Sequence, residues 1–99
     1  MDRHVLAAAI RSSASVIVTY NLKDFPDNAL QKYGIEAQHP DDFLMHLLDL
    51  SPTMTYAAIQ RCRLSLKRPP MDQDEYLACL ARQSLPNTVK QLNTLTEHI

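Results

Sequence analysis

The stretch Ser15-Val16-Ile17-Val18-Thr19-Tyr20-Asn21-Leu22-Lys23-Asp24-Phe25-Pro26 decides the fold. It begins with β-branched residues from Val16 to Thr19. A compact run of this kind predicts a strand over 15–20, buried on both faces as in a parallel sheet. Polar side chains follow at once, with Thr19, Asn21, Lys23 and Asp24 at or past the strand's carboxyl end. Open α/β sheets bind ligands at that end. Before the strand, Asp2-Arg3-His4-Val5-Leu6-Ala7-Ala8-Ala9-Ile10 reads as a helix over 2–12. Its alanines and Leu6 favour helix, and Val5, Ala8, Ala9 and Ser12 fall on one face. One helix and one strand thus carry two carboxylates, Asp2 and Asp24, toward a common place.

Each acid also has a plain structural reading. Asp2 in the first turn complements the helix macrodipole. Asp24 can cap a short helix over 27–32, with Pro26 at its start. Thr19 and Asn21 can end the strand and satisfy turn backbone, or orient a water or a phosphate. Gly34 ends the short helix where a positive φ is common. Ile35-Glu36-Ala37 is a candidate second strand. His39-Pro40-Asp41-Asp42 opens a helix with Pro in its first turn, acids behind it and His39 as a cap or surface residue. Phe43, Leu44, Leu47 and Leu48 form its apolar stripe, and His46 lies on the other face.

Ser51-Pro52 caps a helix over 52–67, whose stripe is Met54, Ala58, Ile59, Cys62 and Leu66. Arg61, Arg63, Lys67 and Arg68 gather in its last turns, the one basic concentration in the chain. They suit a helix C-terminus; as function they read as phosphate contacts, with Arg61 and Arg63 as the substrate-binding candidates. Pro69-Pro70 is a candidate hinge. Asp72 and Glu75 form a capping-box signature before Leu77, Leu80 and Ala81. Leu85-Pro86 breaks the chain again. A last helix over 86–97 carries Leu85, Val89, Leu92 and Ile99, with Leu95 beside the stripe.

The bulk numbers bound the reading. Ninety-nine residues allow one small protein whose core is marginal in size. The formal charge of −1 supplies no global attraction to nucleic acid, so any such binding needs a local patch. The single glycine excludes Gly-rich phosphate loops and argues against hairpin-rich all-β folds. Cys62 and Cys79 lack metal-ligand spacing, and the four histidines form no pair. No signal sequence or membrane span is legible. The expectation is a soluble protein of a reducing, cytoplasmic compartment.

The two spaced motifs, Asp2 to Ile10 and Val16 to Pro26, resemble the C-terminal half of a PIN domain, and most closely the VapC-like toxins of bacterial toxin–antitoxin pairs. Gly34-Ile35 and Pro40-Asp41-Asp42-Phe43-Leu44 continue the likeness. The resemblance implies an α/β fold: the C-terminal part of a parallel sheet with one or two short strands, then a mostly helical tail. By content the chain is predominantly α. It divides the chain into a PIN-like part over 1–50 and a helical extension over 51–99.

PIN domains are metal-dependent ribonucleases that hold Mg²⁺ or Mn²⁺ with about four acids. By resemblance Asp2 matches the third acid and Asp24 the fourth, as both catalytic residues and metal ligands. The first two acids have no counterpart here, so the chain looks like half an enzyme that is weak or inactive alone. The partners implied are an antitoxin, RNA if the chain is active, and a second copy or a separate N-terminal half. Two rival readings stand beside this one: a non-catalytic interaction module, and a helical nucleic-acid-binding domain built on Arg61 to Arg68. A helix-turn-helix regulator is not supported.

Overall fold

The computed structural model describes residues 1–94. Six helices and two short strands account for its regular structure: α1 Arg3–Arg11, β1 Val16–Val18, α2 Asp27–Leu30, β2 Glu36–Gln38, α3 Pro40–Leu50, α4 Pro52–Leu64, α5 Gln73–Arg82 and α6 Pro86–Asn93. Two 3-10 turns, Leu22–Asp24 and Gln31–Tyr33, flank α2. The fold is mostly helical, with a small parallel sheet ahead of α3 to α6. Two compact units are present, Met1–Phe43 and a second from Leu44 onward, and the division falls inside α3. No helix among the described residues is long and apolar enough to cross a membrane.

In the first unit β1 pairs with β2 in parallel register, Val16 with Glu36, Ile17 with Ala37 and Val18 with Gln38. Parallel neighbours need a crossover, and the segment containing α2 provides it. The core gathers Leu6, Ala9, Ile17, Phe25, Leu30 and Ile35. The sequence expectation of a strand buried on both faces is corrected here. Ile17 is buried, but Val18 is 44% exposed, because the core within this unit gathers on the Ile17 face of the sheet. The buried face of α1 is also rotated from the expected one. Leu6 and Ala9 point inward, while Val5 and Ala8 are exposed. Gly34 sits at φ 67° and closes the turn after α2, as expected.

In the second unit Leu48, Leu77 and Leu92 form the core, ringed by Met45, Tyr56, Ile59, Tyr76, Leu80 and Val89. The Asp72–Glu75 capping box is present in full, with both reciprocal hydrogen bonds made. Ser51 occupies the N-cap of α4, but its side chain makes no capping bond. The buried Thr55 fastens that corner instead, its hydroxyl donating to the carbonyls of Leu47 at 3.1 Å and Ser51 at 2.8 Å. Helix α4 ends at Leu64 rather than 67, since the Ser65 hydroxyl and backbone N–H turn back to cap it. Met54, on the apolar stripe expected for α4, is 74% exposed. The end of the helix expected over 86–97, with Leu95 and Ile99, lies outside the described residues.

Candidate functional site

Asp2 is the N-cap of α1. Its extended backbone (φ −77°, ψ 97°) turns the carboxylate onto the open end of the helix. Oδ1 accepts from the backbone N–H of His4 and of Val5, both at 3.1 Å. This is ordinary capping chemistry, satisfying two of the helix's four free donors.

Asp24 reaches the same corner from the other side. After β1 the chain folds through the 3-10 turn, and the buried Phe25 pins the turn to the core. The expected role of Asp24 as N-cap of α2 is not what forms. Pro26 holds that position, without a side-chain capping bond. Freed from capping, Asp24 accepts the backbone N–H of Asp2 at Oδ2, 3.1 Å away. Its Oδ1 lies 3.2 Å from the Met1 ammonium. The start of α1 and the segment after β1 are thus joined through one carboxylate, and the two predicted acids are neighbours.

Thr19 and Asn21 are joined to each other. The Asn21 N–H donates to Thr19 Oγ1 at 3.0 Å, an ST turn that ends the strand. The Asn21 side chain is exposed and does no capping. Arg61 and Arg63 lie in the second unit, on α4. Arg61 is exposed, whereas the half-buried Arg63 donates from one guanidinium nitrogen to the Met71 carbonyl at 3.1 Å. Arg63 therefore fastens the connection into α5.

The carboxyl ends of the two strands carry a further pair, Tyr20 after β1 and His39 after β2. Their rings meet edge to face, centroids 5.3 Å apart. His39 Nδ1 accepts the Asp41 N–H at 3.0 Å, so the neutral ring keeps its proton on Nε2. The expectation of a capping histidine fits this geometry. The Tyr20 contact was not foreseen; no local spacing signals a pairing between the ends of two strands.

Residues 40–94 match the family model of the VapC50 C-terminal domain. The chain belongs to that family. It is also 51% identical, over 82 residues, to a Mycobacterium tuberculosis protein named "Putative ribonuclease VapC50". The match takes in 83% of this chain and 48% of the relative, so the chain spans about half the length of the curated relative it matches. No solved structure matches it.

The divalent cation implied by the VapC resemblance needs hard oxygen ligands. Asp2 and Asp24 have that chemistry. Among the described residues no group of three or more His, Cys, Asp or Glu side chains comes together to hold a metal. The corner offers two carboxylates of the right chemistry, and among the described residues no third acid joins them.

Proposed function

We propose that this chain contributes the Asp2–Asp24 pair to a VapC-type ribonuclease site, and that alone it cleaves RNA slowly or not at all. The observation that carries the reading is the bond from the Asp2 N–H to Asp24 Oδ2, which makes neighbours of two acids far apart in sequence. Asp2 can cap α1 with one oxygen and serve as a ligand with the other. A divalent cation, when bound, supplies charge neutralisation at a phosphodiester and a more acidic water. The chain's own part is to present the two carboxylates at a fixed spacing, locked by the helix cap and the 3-10 turn. Thr19 and the exposed Asn21 amide stand at the strand end, where a phosphate oxygen can take a hydrogen bond. On the helical unit, taken by itself, the exposed Arg61 is a candidate phosphate contact by charge. Arg63 has a share of that role limited by its bond to Met71.

The remaining acids of the site come, in this reading, from sequence outside these 99 residues: a separate N-terminal portion or a partner chain. An antitoxin is the further partner that the VapC relationship brings. The second reading, an interaction module without catalysis, draws on the apolar side chains left open in the helical unit, Leu50 at 81% and Met54 at 74% exposed.

The test is Mn²⁺-dependent cleavage of a fluorescent RNA by the chain and by an Asp2→Asn/Asp24→Asn variant purified identically. Asn is nearly as good an N-cap as Asp, so the Asp2 change removes charge with little harm to α1. Each is assayed alone and after adding a polypeptide that spans the rest of the Mycobacterium tuberculosis relative. The expected result is faint or no cleavage alone, cleavage on complementation, and none with the variant. Equal cleavage by the variant refutes the assignment.

A further inference from the structure

Between α3 and α4 runs an open groove of about 410 Å³ whose floor and walls are Leu44, Leu47, Met54, Ala58, Ile59 and Cys62. It lies wholly within the helical unit. The walls on α4 repeat at helical spacing from Met54 to Cys62, about 12 Å of helix at 1.5 Å per residue. That is the length over which a docked helix places three anchors at i, i+4 and i+7.

The sequence through α4 and just beyond it carries one sign of charge. From Leu50 through Met71 the sequence holds no acid, while Arg61, Arg63, Lys67 and Arg68 all fall within it. Arg61 stands three residues after Ala58 and seven after Met54, on the flank of the same helix face. Across the groove, the helical positions of Asp42 and Asp49 put them on the face of α3 turned away from Leu44 and Leu47.

We propose that this groove is a docking site for an acidic amphipathic helix of a partner polypeptide. Leucine-like side chains fill the apolar floor, and carboxylates on the rim of the incoming helix meet Arg61. A second copy of this chain fits less well, because a symmetric pairing sets two basic rims against each other. RNA fits less well too, because an apolar floor offers phosphates nothing.

Two capped peptides of about 18 residues serve as probes, long enough to hold a helix. Both carry leucines at i, i+3, i+4 and i+7; one is filled with Glu and the other with Lys. The readout is iodoacetamide alkylation of Cys62, which is exposed and lines the groove, with the half-buried Cys79 as internal reference. At about ten times its Kd the Glu peptide slows alkylation of Cys62 about tenfold by mass action, with Cys79 unchanged. The Lys peptide protects at least about tenfold less well. Arg61→Glu weakens the Glu peptide, and Met54→Glu abolishes its binding at a position exposed enough to spare the fold. Equal protection by both peptides, or none by either, overturns the proposal. So does protection by a single-stranded RNA of similar length, or Cys62 protection that rises with protein concentration alone, which would make the occupant a second copy.

Discussion

In the first unit, Met1–Phe43, polar side chains at the corner of α1 and β1 are turned onto backbone: Asp2 onto two N–H groups, Asp24 onto a third, Thr19 onto a fourth. In the helical unit the polar work is done at helix ends, by Asp72 with Glu75 and by Thr55, while apolar side chains such as Met54 stay in solvent. The first arrangement preorganises oxygen atoms; the second leaves apolar area to be covered. This contrast underlies both proposals: an ion at the corner of the first unit, a protein segment on the second.

The largest effects probe the two cores. Leu30 and Leu92 are fully buried, one in each unit. Leu30→Ala and Leu92→Ala should each cost about 2–5 kcal/mol in denaturant melts. Amide exchange should quicken first in α1, β1 and α2 for Leu30→Ala, and in α5 and α6 for Leu92→Ala. The reverse pattern would break the division of cores.

Caps come next. Asp2→Ala and Asp72→Ala should each lose about 1 kcal/mol, and Asp2→Asn far less. An Asp2→Ala variant as stable as the parent would mean the carboxylate does not serve the fold. Two serines give a matched pair of smaller effects. Ser13 at φ 57° and Ser84 at φ 61° hold the left-handed conformation after α1 and α5. Ser13→Gly and Ser84→Gly should each gain up to about 1 kcal/mol, read as a raised Tm.

The smallest effect belongs to Tyr76 in the helical core. Burial pushes its hydroxyl above the ordinary tyrosine range, with Cys62 and Cys79 adding to the shift. The unfolded chain therefore gives up this proton first. The contribution to stability is full below about pH 10, the ordinary tyrosine value, and is lost as pH rises through the higher folded value. Tyr76→Phe should flatten the alkaline fall in stability seen by chemical denaturation at pH 9 to about 11.

Much of this was legible because it is local. The β-branched run gave β1, Gly34 a left-handed turn, Pro40 the start of α3, and Asp72 with Glu75 a capping box three residues wide. What was not legible depends on contacts distant in sequence. Asp24 looked like a helix cap because it precedes Pro26, but the corner with Asp2 is closed by the packing of Phe25. The bond from Arg63 to the Met71 carbonyl, eight residues on, had no local signal either. Met54 continues an apolar helical stripe, and periodicity does not say what surface faces it. The Asp2–Asp24 proximity itself was suggested by the family resemblance and by their places at a helix start and a strand end.

The most direct test of the half-site is Mn²⁺ titration calorimetry on the chain alone and on Asp2→Asn. Two carboxylates, one of them capping a helix, predict weak millimolar binding that the substitution weakens further. Micromolar affinity in the parent, lost in Asp2→Asn, would contradict the account, because it would mean that these residues assemble a complete site without a partner.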